Sequence, residues 1–156
     1  MKTRTTITDV THDDIVTLLS TAFDYSQYFT LDFDDAAYQK ALQENDCVED
    51  VCARMLLNGG SIKICDKCAE DENDFNGNLP HSWDDEYGTM DYVVTLKDIV
   101  SGLRKCVDGR FKANDDDEIP YMRKCMVHYM CDQYDFDAGE AEDIIQVIVF
   151  GNIIYG

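Results

Sequence analysis

Cys65, Cys68 and His81 are the side chains whose types and spacing come nearest to a reactive or metal-binding site, two cysteines with two residues between them and a histidine after twelve more. Thiolate sulfur and imidazole nitrogen suit tetrahedral zinc, and this is the spacing of the first three ligands of a zinc finger. The window for a fourth ligand holds Asp84, Asp85 and Glu86 instead, and residues 69–74 lack a finger's apolar pattern. Zinc held by Cys65, Cys68 and His81, in a metal-binding or redox regulator, is therefore the alternative to two reduced surface cysteines, and no cofactor is expected. Cys125, His128 and Cys131 recur every three residues and interleave with Met122, Met126 and Met130. That pattern reads as helix packing. The acidic run Asp115, Asp116, Asp117 and Glu118 lacks the glycine and the alternating ligands of a calcium loop and reads as a solvated helix start. Nucleophile elbow, phosphate loop, dinucleotide fingerprint and zinc-protease motif are all missing. The chain is read as non-enzymatic, with a small cysteine hydrolase, its Cys–His pair assembled in space, as the weaker rival.

The elements that position these residues are legible from periodicity and caps. Thr11 with Asp14, Asp46 with Glu49, Thr95 with Asp98 and Asp137 with Glu140 are capping boxes ahead of apolar stripes. Asn58-Gly59-Gly60 and Gly109 supply helix stops. A short helix is expected over 36–42, and Pro120 suits a first helical turn. Residues 61–65 and 91–95 alternate as antiparallel strands. Between them lies a long loop, 66–90, and long ordered loops are more often functional than short ones. The expected fold is a helix-dominant, single α+β domain over residues 1–156, with a two-stranded antiparallel unit between N- and C-terminal helices. The apolar terminus 150–155 is expected to dock on the core or on a second subunit.

Charge narrows the function classes. The chain has 156 residues with 32 Asp and Glu against 13 Lys and Arg, a net charge of −19. At 45% hydrophobic residues it can still build a core. Direct nucleic-acid binding is disfavoured, because that affinity comes from cations neutralising phosphates, and an anionic membrane is disfavoured for the same reason. No run of apolar residues long enough for a membrane span and no secretory leader is read, which makes the cytosol the expected compartment. Seven cysteines without an export signal read as reduced thiols. Thirty of the 32 acids fall in three tracts, 5–53, 66–91 and 113–143, whereas 97–112 inverts the sign through Lys97, Arg104, Lys105, Arg110 and Lys112. Caps and solvated faces explain part of this excess. The remainder works against compactness through self-repulsion, as would be tolerated if the field served to attract a basic partner.

Small size, strong acidity, no enzyme motif and acidic tracts interleaved with Tyr and Phe together resemble the nucleic-acid mimics encoded by phages and mobile elements, the antirestriction and anti-CRISPR inhibitors of bacterial defence. The runs 141–151 and 56–60 are similar to acidic proteins of bacterial mobile elements. The resemblance implies a cytoplasmic inhibitor, acting in a bacterial host cell, that occupies the nucleic-acid site of a basic nucleic-acid-binding protein or nuclease complex. The residues expected to make that contact are Asp66, Glu70, Asp71, Glu72, Asp74, Trp83, Asp84, Asp85, Glu86 and Tyr87, extended by Asp115, Asp116, Asp117 and Glu118. Trp83 and Tyr87 among carboxylates have the make-up of an interface hot spot, although Trp83 would equally serve to pin the loop to the core. The basic helix around Arg104 and the apolar terminus offer a contact for a homodimer.

Overall fold

The computed structural model describes residues 10–24, 26–115, 117–130 and 137–156, and of residues 125 and 127–130 only the backbone. Thr11 starts α1 (His12–Phe23) by accepting from the Asp14 amide at 3.2 Å, and the Asp14 carboxylate accepts from the Thr11 amide at 2.8 Å. Strand β1 (Phe29–Asp32), the short helix α2 (Asp35–Ala41) and α3 (Val48–Leu57) follow. The cap of α3 lies one residue later than expected. Asp50 accepts from the Cys47 amide at 3.1 Å, while Asp46 is captured by the Arg54 guanidinium at 2.6 and 3.2 Å. A planar guanidinium matches both oxygens of a carboxylate, which draws Asp46 away from the helix start. Arg54 also donates to the Ala41 carbonyl at 2.8 Å and so ties α2 to α3.

Strands β2 (Ser61–Asp66), β3 (His81–Asp84) and β4 (Thr89–Thr95) complete an antiparallel sheet of order β1-β2-β4-β3. The two expected strands pair in the expected sense, Ser61 opposite Thr95 and Cys65 opposite Asp91. They are the centre of a sheet that has four strands among the described residues, not a two-stranded unit. β1 lies outside both expected strands, and β3 lies inside the 66–90 segment, dividing it into an arch over 67–80, a strand and a tight turn. Both additions are four-residue edge strands, held by the neighbouring ladder more than by their own composition.

The remaining helices are α4 (Leu96–Asp108), α5 (Glu118–Met130) and α6 (Ala138–Phe150). The α+β class and the dominance of helix stand as expected. In α6 the side chains from Ala141 to Phe150 are buried except Asp143, as befits a helix that is apolar on nearly every side. α1 and α4 both pack on it, and Phe150 meets Phe29 and Tyr92 of the sheet with ring centres 5.7 and 5.5 Å apart. Gly102 lets α4 approach this closely, because a Cβ there would lie 2.4 Å from Ile148 Cγ1 and 2.7 Å from Ile148 Cα. Met122 and Met126 are buried in the same core, as are Cys52 and Cys106. The side chains of Cys125, His128 and Met130, and Cys131 entirely, lie outside the described residues.

The apolar terminus docks on its own core. Gln146 accepts from the Ile154 and Tyr155 amides at 2.9 and 2.8 Å and donates to the Tyr155 carbonyl at 3.1 Å. Ile153 is buried, and its amide bonds the Lys112 carbonyl at 2.9 Å. Of the two expected resting places for this terminus, core or second subunit, the core is the one it takes, with Ile154 and Tyr155 still half-buried. No helix among the described residues is long and apolar enough to cross a membrane.

Candidate partner-binding surface

Strand parity decides which of the singled-out residues can meet. Cys65 faces Asp91 in the ladder and His81 faces Tyr92, and adjacent residues of a strand point to opposite faces. Cys65 and His81 thus lie on opposite sides of the sheet. The His81 ring stacks on Phe75 at 4.2 Å between centres, and its Nδ1 is 2.9 Å from the Leu79 carbonyl. Cys68 is exposed beyond the end of β2. Among the described residues no group of three His, Cys, Asp or Glu side chains is placed to hold a metal ion. Burial, reinforced by Asp91, pushes the Cys65 thiol up to about 12, and burial likewise raises Cys52 to about 12 and Cys68 above the ordinary range. At neutral pH these sulfurs keep their protons and are poor nucleophiles.

The carboxylates divide into structural and displayed sets. Asp66, expected at the contact surface, is fully buried. One of its oxygens accepts from the Tyr155 hydroxyl at 2.7 Å and the other from the Cys68 amide at 2.8 Å. Burial raises its carboxyl above the ordinary carboxylate range. Glu142 is internal too, accepting from the Ser26 hydroxyl at 2.7 Å and the Gln27 and Tyr28 amides at 3.1 and 3.0 Å. Glu140 caps its own helix through the Asp137 amide and accepts from the Tyr121 hydroxyl. Part of the acidity is therefore internal scaffolding.

The displayed set lies on the arch and on the β3–β4 turn. The arch is fastened at both ends. At its start the Lys67 amide bonds the Tyr28 carbonyl at 2.8 Å; toward its close the Asn76 amide bonds the Tyr92 hydroxyl at 3.0 Å. Gly77, at φ +77°, passes so near the end of α6 that a Cβ would lie 2.9 Å from the Val149 carbonyl oxygen. Between these anchors Glu70, Asp71 and Glu72 are exposed and Asp74 is half-buried. Asp74 accepts from the Glu70 amide and Asp71 from the Asn73 amide, each at 2.9 Å. In the turn, Asp84 accepts from the Glu86 and Tyr87 amides at 2.9 and 3.1 Å, leaving Asp85, Glu86 and Tyr87 in solvent. These side-chain-to-backbone turns fix the carboxylates on an ordered backbone.

Trp83 faces the helix side opposite Met90 and packs against the core, so it pins the strand rather than joining Tyr87 at the surface. Asp115 and Asp117 are exposed at the start of α5, where the Asp115 carboxylate accepts from the Asp117 amide at 2.9 Å. Asp116 lies outside the described residues. Glu118 is half-buried and near enough to Asp143 of α6 to raise its pKa, which associates the run with α6 rather than with the arch.

One feature was not read from the sequence. Helices cover a single face of the sheet among the described residues. On the other face Thr30, Cys65, Asp91 and Ser82 form one row across the four strands. Around that row is a concavity of about 570 Å³, whose lining includes Asp32, Asp84, Thr89 and the exposed Tyr87. The signal for it is the polar alternate positions of β2 and β4, which become a face only once β1 and β3 are known to flank them.

No family model, curated protein or solved structure matches this chain.

Proposed function

We propose that this chain is a non-enzymatic, cytoplasmic inhibitor that binds a basic nucleic-acid-handling protein and occupies its nucleic-acid site, as antirestriction and anti-CRISPR mimics of phages and mobile elements do. The observation that carries the reading is the pinned carboxylate array of the arch and turn. Glu70, Asp71, Glu72, Asp85 and Glu86 are exposed on backbone that Asp71, Asp74 and Asp84 hold by hydrogen bonds. Lys67, the one basic residue between 66 and 90, donates to the Ser26 carbonyl at 3.2 Å. Negative charge on a fixed scaffold resembles a phosphate backbone in the respect that matters for a cationic groove, since less ordering entropy is lost on docking than from an acidic tail.

The test is capture of partners from a bacterial lysate at low and at high salt, followed by competition with duplex DNA and with RNA. The reading requires basic partners that salt weakens and nucleic acid displaces. The quadruple change Glu70→Gln, Glu72→Gln, Asp85→Asn and Glu86→Gln should abolish capture without altering the fold, since none of these side chains makes a bond that shapes arch or turn. Neutral partners, or capture indifferent to salt, would overturn it.

A further inference from the structure

We propose that the concavity on the face of the sheet opposite the described helices anchors one arginine side chain of the basic partner, its guanidinium lying against the Tyr87 ring and the Asp84 and Asp91 carboxylates. The inference rests on the reading that the partner is basic, and it adds where and how that partner is gripped.

Asp91 carries the argument. It is 7% exposed, yet the donors it holds are neutral, the Thr89 hydroxyl at 2.6 Å and the Cys65 thiol. A carboxylate offers about four acceptor positions, and a buried one is costly unless paired with a cation. Among the described residues no Lys, Arg or His lies within ion-pair distance of it. Lys67, which also lines the concavity, has its ammonium on the Ser26 carbonyl. The other cation on this face, Lys63, stands opposite Asp32 in the ladder, and among the described residues Asp84, like Asp91, has no ion-pair partner.

The rim supplies the second requirement. Tyr87 is 75% exposed, although the turn that carries it is fixed by Asp84 and by the bond from the Gly88 amide to the Asp84 carbonyl at 2.8 Å. An ordered turn presenting an exposed aromatic ring at a concavity that Asp84 and Asp91 also line suits a planar cation that stacks on the ring and donates to a carboxylate. Arginine does both, whereas the compact ammonium of lysine stacks poorly and does not pair in a fork. A cavity of about 570 Å³ falls within the range of sites that enclose small groups.

The experiment titrates the full chain with three blocked Gly/Ser peptides carrying a single arginine, lysine or citrulline, and follows backbone amide shifts at constant ionic strength. Arginine should move the amides of residues 65 and 87–91 together, with lysine weaker and the neutral isostere citrulline inert. Tyr87→Ala should weaken the arginine peptide about two- to fivefold, and Asp91→Asn about tenfold or more, because a charge-assisted bond becomes a neutral one. Glu44→Gln, between α2 and α3, should change it less than about twofold, as expected for an exposed charge outside both the pocket and the arch. Tyr87 is solvent-exposed, so its variant keeps the test sound should Asp91→Asn fail to fold. Shifts centred on residues 70–74, equal binding of lysine, or an unaffected Tyr87→Ala would overturn the pocket. The titration uses no partner, so its failure is separable from failure of the inhibitor reading, which is judged by salt-dependent capture alone.

Discussion

Tyr155 donates its hydroxyl to Asp66 across 2.7 Å, joining the last residues of the chain to the point where β2 turns into the acidic arch. Tyr155 also lies against Tyr28, with ring centres 5.2 Å apart, and the Tyr28 carbonyl receives the Lys67 amide. The base of the displayed surface is thus built from three distant stretches of chain.

Removing one hydroxyl tests that junction. Tyr155→Phe keeps the ring but leaves one oxygen of buried Asp66 without its donor, at a cost of about 1–3 kcal/mol. Urea denaturation should show the lower midpoint at unchanged slope, and amide exchange at residues 67–69 should accelerate.

The crossing of α4 and α6 has no room for a methyl group. Gly102→Ala should destabilise by about 1–3 kcal/mol through overpacking, lowering the melting temperature by about 2–4 °C for each kcal/mol. Ile148→Ala combined with it should restore only part, because Ile148 Cα is itself 2.7 Å from the new Cβ position.

Asp143 makes stability depend on pH. Burial first, then the Glu118, Glu142, Asp137 and Glu140 carboxylates, push it from the ordinary 3.8 to about 7. The folded chain therefore holds this proton more tightly than the unfolded chain. Its contribution is complete below about pH 4 and is lost as pH rises through 7. Wild-type denaturation midpoints should fall between pH 5 and 8, and Asp143→Asn should flatten that fall. An unchanged slope in the variant would assign the dependence elsewhere.

His12 and Asp50, 3.0 Å apart, link α1 to α3. The His12 ring, followed by the Cys47 thiol and amide, holds the Asp50 carboxyl down at about 2. The associated stabilisation is present above the ordinary 3.8 and is lost as pH falls through 2. In His12→Ala the carboxyl should titrate closer to 3.8, read from its side-chain carbon shift, while stability at neutral pH changes little, as usual for a solvent-screened pair.

What the sequence discloses follows from where each signal is local. Thr11 with Asp14, Thr95 with Asp98 and Asp137 with Glu140 cap their helices because all partners lie within one turn. β2 and β4 are legible because apolar residues recur at every second position, Ile62 and Ile64 in one and Met90, Tyr92 and Val94 in the other. β1 and β3 are not, since Phe29–Asp32 and His81–Asp84 are four residues each, too short to show a period, and acquire ladder partners only from β2 and β4. The same non-locality hides the site. Asp66 and Asp74 look alike in the sequence, and distant partners set them apart: Asp66, between Phe29 and Met90 in the sheet and bonded by Tyr155, 89 residues away, is internal, whereas Asp74 is half-buried on the arch. Asp91 sits in a strand that reads as core, and its place at the floor of a concavity depends on Thr30, Ser82 and Tyr87, each from a different segment.

α6 is the element on which α1 and α4 pack, and it follows both in the chain. During synthesis, the apolar faces of the earlier helices therefore leave the ribosome before the helix that covers them, and the core closes only once residues 138–150 are out. Contacts of such sequence separation are slow to form. A nascent chain stalled ahead of α6 would present the exposed hydrophobic surface that chaperones bind and that aggregates, so yield in the cell should respond to the rate at which this last helix is delivered.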